Sequence, residues 1–448
     1  MEKPLPQLTL FDSTSLIVGI IIGVGIYQMA PSIAQGVGSA WGVMGIWALG
    51  GFLSLLGALS YAELASAYPQ EGGDYVYLTR AYGPLAGFLF GWAQLAVVRP
   101  GDIAVMAFAF ATYARTIWDP FAGTAVPYAQ PIYAVTATLL LTGVNVLGVR
   151  QGKWTQNLLT SAKAIGLLLI VAAAIFSPEA SKAAAEKPGE TPLSLAIIFV
   201  LFTFGGWNEM AYVAAEVKNP SRNILRALVL GIVTVTGLYL LVNAAFLHAL
   251  GFEGLKQSDA VATDTVAAVL PAGAGLFISG LVCVSALGAV NGLVFTGARI
   301  SYALGADHRV FSVLGRWHVR LGTPATALIA QGLIATILVI ALGSFIHAVL
   351  YTAATVYSFY LATTLAVLVL RRKDPTRERP YRVWGYPTVP LAFAAVCVFL
   401  IYSAVTYKPL IAAFSLVLLL IGLPLWWLSS RMEKQAVPPD SSKPSSIS

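Results

Sequence analysis

The chain has 448 residues, 58 % of them hydrophobic and only 10 % charged, with a formal net charge of +7. Soluble domains carry roughly one quarter charged residues, so this composition excludes an ordinary water-soluble fold and points to repeated bilayer crossing. Only two cysteines are present, too few for a disulfide-stapled framework, and the four histidines (His248, His308, His318, His347) are too dispersed for a metal cluster or a nucleophile-base pair.

In chain order, residues 1–12 carry charge and show no small-residue cleavage site, so they read as a cytoplasmic start and not as a cleaved signal. No charged residue occurs between Asp12 and Glu63. That run holds two crossings, since one needs about 20 apolar residues. Continuing along the chain, twelve spans are expected near 13–36, 42–64, 82–113, 131–148, 157–176, 193–214, 227–250, 274–300, 323–343, 345–370, 388–406 and 410–430. The fold class is therefore an all-α integral membrane protein of twelve transmembrane helices.

The 27 lysines and arginines set the orientation. Arg115, Lys182, Lys187, Lys256 and Lys408 fall on one side, Arg99 and Lys163 lie within spans, and all the others fall on the opposite side. By the positive-inside rule the richer side, with both termini, is cytoplasmic. The same bias accounts for the net charge without a nucleic-acid partner. The domain reading is a core over 13–370, a basic cytoplasmic loop over 371–387, accessory helices over 388–430 and a disordered cytoplasmic tail over 431–448. The outer connection Ser177 to Pro192 is polar, and Gly251 to Gly273 has room for a short helix. Cys283 and Cys397 fall inside spans and read as packed core thiols.

Two spans are interrupted by glycine near their middles: GIIIGVGIY (Gly19 to Tyr27) and FTFGGWNEM (Phe202 to Met210). Glycine costs roughly 1 kcal/mol against alanine in a helix interior, and an unwound turn in hydrocarbon frees backbone groups that must find partners. Such a pair of breaks is expected to line a polar cavity at the midplane. A helix that starts after Gly23-Val24-Gly25 points its free amides at that cavity and favours a carboxylate. Carbonyls around Ile21 and in the turn from Phe202 through Thr203 to Gly205 can accept from an ammonium group. Three charges lie deep in spans. Arg99 and Asp102 are spaced i, i+3 and read as an ion pair. Lys163 is expected to face protein, because an ammonium at that depth is expensive. Glu209 reads as a packing or vestibule residue, and Glu63 and Glu216, with Arg80, Lys218 and Arg222 nearby, as an inner gate.

From Phe202 the string FTFGGWNEMAYVAAEVKNPSRN resembles the sixth-helix signature of the L-amino acid transporter family, within the amino acid-polyamine-organocation superfamily. GIIIGVGIY, the stretch Ala58 to Gly83, RPGDIAVMAFAFATYA (Arg99 to Ala114), the stretch Val144 to Lys163, SALGAVNGLVFTGARI (Ser285 to Ile300) and RPYRVWGYP (Arg379 to Pro387) extend the resemblance over nearly the whole chain. It implies a LeuT-like architecture in which helices 1–5 and 6–10 are inverted repeats and helices 1 and 6 are broken. It implies substrate-binding residues Ile21, Gly23, Val24, Gly25, Phe202, Thr203, Gly205 and Asn208, with Phe202 as the gate. Val24 departs from the Ser or Thr of many relatives and removes a hydroxyl donor. Lys163 matches the lysine that replaces a bridging sodium ion in sodium-independent relatives, with Gly19 and Ala289 as its expected neighbours.

The function so implied is sodium-independent transport of neutral L-amino acids by exchange and alternating access. Proton-coupled symport and amino acid sensing are the alternatives. No cofactor or metal is called for, and the partners are an amino acid and the lipid bilayer. The outer loop Thr116 to Gln130 has no cysteine, so no disulfide-linked heavy chain is expected, which fits a free-standing transporter of a prokaryotic inner membrane.

Overall fold

Helix starts are encoded locally. Thr9 and Asp12 cap the first helix reciprocally: the Asp12 N–H donates to Thr9 Oγ1 at 3.2 Å and the Thr9 N–H donates to Asp12 Oδ2 at 2.9 Å. Ser39 and Ser344 cap two later helices by accepting from the amides of Gly42 and His347. The computed structural model describes residues 8–70, 73–122, 128–147, 163, 165–172, 174–175, 191–211, 214, 217–268, 273–318 and 323–436. Among them the backbone is helical, and the β-bridges are isolated ones joining Leu8 to Val217 and His318 to Thr323.

The helices are α1 (Leu10–Ile21), α2 (Gly25–Val37), α3 (Ala40–Ala67), α4 (Asp74–Tyr82), α5 (Pro84–Ala93), α6 (Arg99–Ile117), α7 (Ala129–Val146) and α8, helical at 163, 165–172 and 174–175. They continue as α9 (Leu193–Thr203), α10 (Pro220–Gln257), α11 (Val261–Ala267), α12 (Ala274–Asp307), α13 (Ala325–Leu342), α14 (Phe345–Lys373), α15 (Thr388–Tyr407) and α16 (Pro409–Ala436). A π-helical turn, Gln94–Val98, joins α5 to α6, and a 3₁₀ turn, Trp207–Ala211, follows α9.

Among the described residues nine helical segments are long and apolar enough to cross a bilayer, ten when α1 and α2, bent by 53°, are taken as one broken span. The chain is a multi-pass membrane protein. The expected count of twelve needs α7 and the segment 157–176 as well, and the latter lies partly outside the described residues. The short helix expected between Gly251 and Gly273 is α11, and Gly251, at φ 68°, breaks α10 just before it. Of the tail expected to be disordered from 431, residues 431–436 continue α16 and 437–448 lie outside the described residues, as do the connection 177–190 and Glu216.

The α5–α6 span sits in the middle of the bundle: 78 % of its apolar window is buried by protein, against 17 % for α16, whose apolar surface is left for lipid. Around α6 stand α7, α12, α13 and α14. α1 and α3 pack on α10, and α2 packs on α9. Without a hydrophobic drive between helices in lipid, close approach depends on small residues. At Gly25 a Cβ would lie 2.9 Å from Thr203 Oγ1, so this glycine lets the two broken spans touch where both unwind.

Candidate functional site

The first break follows the end of α1 at Ile21, passes through Ile22, Gly23 and Val24, and ends where α2 starts at Gly25. The second follows the end of α9 at Thr203 and turns through Phe204, Gly205 and Gly206 into the 3₁₀ turn. Gly206 has φ 107°, a region open to glycine, and a Cβ there would lie 2.6 Å from Ile20 Cγ2 on α1. Both breaks therefore meet face to face, through the Gly25–Thr203 and Gly206–Ile20 contacts.

Tyr239 of α10 ties the breaks together. Its hydroxyl lies 2.9 Å from the Ile21 carbonyl and 3.2 Å from the Thr203 carbonyl, so one donor serves the C-terminal ends of α1 and α9. Its ring packs on Trp47 and Phe204 with centroids 5.3 and 5.2 Å away. On the opposite side of the break, the first amides of α2 have no intrahelical acceptor and present a positive dipole end. Gly23 is half-accessible while Val24 and Gly25 are buried. Phe202 is half-buried, in contrast to the fully enclosed Phe204 two residues on.

Below the second break the side chains are held firmly. Asn208 Oδ1 accepts from the Tyr360 hydroxyl at 2.9 Å. Trp207 packs edge-on to Tyr61 at 5.0 Å and against Tyr360 at 5.4 Å. Asp74 Oδ1 accepts from both the Tyr61 hydroxyl at 2.5 Å and Thr363 Oγ1 at 2.6 Å. Arg99, at the start of α6, meets Glu209 at 3.1 Å.

The family whose sequence pattern matches residues 8–426 is described as amino acid permease. The chain belongs to the amino acid permease family. Among curated proteins the permease is 34 % identical over 413 residues to the b(0,+)-type amino acid transporter 1 of Homo sapiens, covering 90 % of this chain and 83 % of the relative. It is 32 % identical to the human large neutral amino acids transporter small subunit 2, covering 94 % and 80 %, and 31 % identical to the mouse Asc-type amino acid transporter 1, covering 94 % and 81 %. The permease is thus a membrane-embedded amino acid transporter with L-amino acid transporter relatives, and not an enzyme.

Several residues stand differently from their sequence-based reading. Arg99, expected to pair with Asp102, also forms an ion pair with Glu209 at 3.1 Å, and its charge acts on Asp102 as well. Glu209 is accordingly a charge partner and not a packing residue. Glu63 is 2 % exposed and is held by Arg371, through Nε to Oε1 at 2.7 Å and Nη2 to Oε2 at 2.6 Å, and by the Val383 amide at 2.6 Å. Arg379 adds a contact at 3.6 Å. These cations replace the expected Arg80, Lys218 and Arg222, all of which are exposed. The basic loop 374–387 is thereby clamped to the end of α3. Nearby, outside the spans, the Tyr68 phenol is raised above its usual range by burial and by donation to Asp374.

Lys163 is 9 % exposed in α8, and no described residue hydrogen-bonds to it; Gly19 lies on α1 and Ala289 on α12. Cys283 and Cys397 are buried free thiols. Beside the first half of α2 a cavity of about 540 Å³ is lined by Gln28, Ser32, Thr112, Arg115, Asp119 and Asp259 among others. Sequence reasoning missed Tyr239, Tyr360 and Tyr61. The available signal was each hydroxyl's position in an apolar span, where a buried O–H must find an acceptor.

Proposed function

We propose that the permease carries neutral L-amino acids independently of sodium, exchanging one for another by alternating access. The reading rests first on the contact between the two helix breaks, where Gly25 meets Thr203 and Gly206 meets Ile20. The substrate carboxylate sits at the α2 N-terminus, against Gly23, Val24 and Gly25. Its ammonium is held by the remaining acceptor capacity of the Ile21 and Thr203 carbonyls and the turn at Gly205, Phe202 closes over it, and Asn208 faces its side chain. The two breaks belong to spans one and six of a twelve-helix fold with an inverted repeat of five. Spans eleven and twelve are accessory, and both termini are cytoplasmic in a prokaryotic inner membrane, with no heavy chain. In this reading Lys163, buried in α8, takes the part of a bridging cation between Gly19 on α1 and Ala289 on α12.

The test is uptake of labelled leucine by proteoliposomes loaded with or without unlabelled amino acid, in sodium or choline buffer. The expected result is uptake that needs internal amino acid and ignores sodium. A strong sodium requirement overturns the reading, uptake driven by a pH gradient alone replaces exchange by symport, and binding without uptake makes the protein a sensor.

A further inference from the structure

The cavity of about 540 Å³ starts about one turn beyond the first break, since Gln28 on its lining follows Gly25 by three residues of α2. Its walls are tied to α6. The Tyr113 hydroxyl donates to the Tyr27 carbonyl of α2 at 3.2 Å, and Gln130 Nε2 of α7 donates to Thr112 Oγ1 at 2.8 Å. Thr116 Oγ1 donates to Ser279 Oγ of α12 at 2.8 Å, and that oxygen lies 2.6 Å from Thr263 Oγ1 of α11. A space of this volume, held open by such ties, is of the size that takes a small molecule.

The charges on the lining are only partly spent on one another. Arg115 turns both Nε, at 2.9 Å, and Nη2, at 2.8 Å, to the same Asp119 oxygen, Oδ2, while Asp119 Oδ1 accepts from the Phe121 amide at 3.1 Å. No described residue accepts from Arg115 Nη1. Asp259, exposed in the turn between α10 and α11, has no described partner for its carboxylate. Gln28 adds a buried acceptor, Oε1, that no described residue satisfies. A buried acceptor in that state is uncommon and is completed by something outside the chain. Met29, Phe345 and Ile346 give the same cavity an apolar wall. A guanidinium edge, a carboxylate and an apolar wall around one space match a molecule that carries a carboxylate, an ammonium group and an apolar side chain.

This space is separate from the breaks. Met106 reaches the first break, since a Cβ on Gly23 would lie 4.0 Å from its Cε. Arg115 follows Met106 by nine residues of α6, about 13 Å at 1.5 Å per residue. An amino acid whose carboxylate sits at Gly23 to Gly25 therefore leaves Arg115 to a second molecule.

We propose that the cavity is a second amino acid site, an entry subsite in which Arg115 takes the carboxylate and Asp259 the ammonium group of a neutral zwitterion on its way to the breaks. The proposal deepens the transport reading given above and rests on it. Both charged groups stay partly hydrated, so the subsite holds its ligand weakly and can release it inward. Because it needs both charges, it also favours amino acids over simple amines and acids.

The test is equilibrium dialysis of the concentrated, detergent-purified full chain against labelled L-leucine. The wild type is expected to bind two leucines per chain, one tightly and one weakly. Asp259→Asn and Arg115→Gln are each expected to weaken the second about fivefold and to leave the first unchanged, which also shows that the variant is folded. Leucinamide, which lacks the carboxylate, and 4-methylpentanoate, which lacks the ammonium group, are expected to displace the weak leucine several times less well than unlabelled leucine does. A single leucine per chain in the wild type overturns the proposal and leaves the transport reading standing. So do two leucines bound with wild-type affinities in both variants, loss of the tight leucine together with the weak one in Asp259→Asn, or displacement by leucinamide as strong as by leucine, which would make the cavity a cation site. If the wild type binds no leucine and moves none, the transport reading itself fails first.

Discussion

The two sides of the central site are built differently. Beside the first half of α2 the walls stand apart around the 540 Å³ cavity, whose polar lining includes the Arg115–Asp119 pair at 2.8 Å. Toward the other side, Tyr61, Trp207, Tyr360 and Asp74 fill the space, and the Glu63 clamp lies beyond them. The open side includes a half-buried i, i+4 ion pair, a contact that partial hydration leaves weak. The closed side uses buried aromatic packing and charge-assisted hydrogen bonds, each worth more. The comparison indicates a conformation open on the cavity side, in which opening the Glu63 side requires separating the stronger set of contacts.

The largest effect is expected from the clamp. Glu63→Ala leaves Arg371 and Arg379 without their buried carboxylate and should destabilise the protein by about 3–5 kcal/mol, as for other broken buried pairs. Thermal unfolding in detergent checks this, and a melting temperature equal to wild type would show the clamp to be incidental. Next comes the contact between the breaks. Gly25→Ala puts a methyl 2.9 Å from Thr203 Oγ1, and overpacking of this kind costs about 1–3 kcal/mol. Exchange should fall on the order of tenfold, since about 1.4 kcal/mol corresponds to one decade. Adding Thr203→Ala should restore part of it, and no recovery in the double variant would mean that the loss lies elsewhere.

Two further variants sharpen the difference between the sides. Lys163→Ala should slow exchange severalfold with uptake still indifferent to sodium, as measured in matched sodium and choline buffers; wild-type rates at every pH would reduce Lys163 to a packing residue. Phe202→Ala should lower exchange more than equilibrium binding of substrate, and an equal loss in both assays argues against a gate. The smallest effect belongs to Tyr360→Phe. It removes one neutral hydrogen bond to Asn208, worth about 1 kcal/mol, and so should favour the state open on the Glu63 side about fivefold. Comparing KM for substrate presented from each face of the vesicle detects that shift, which a uniform change in both values would contradict.

Much of this molecule is legible from its residues in order. Hydropathy alone locates the nine or ten long apolar spans among the described residues, because a bilayer imposes on each a length and an apolar composition that need no tertiary partner. Glycine near the middle of a span marks a break for the same local reason, and Gly23 to Gly25 and Gly205–Gly206 stand where α1 and α9 end. Composition and motif were also enough to indicate the permease family. The partners of the polar side chains were not legible. Arg99 and Glu209 are 110 residues apart, Tyr239 and Ile21 218, and Glu63 and Arg371 308. A nearby residue of opposite charge, such as Asp102 for Arg99, looks like the natural partner along the chain. Only the packed bundle decides, because side-chain direction and helix neighbours determine which groups meet, and a buried charge or hydroxyl takes the partner it can reach.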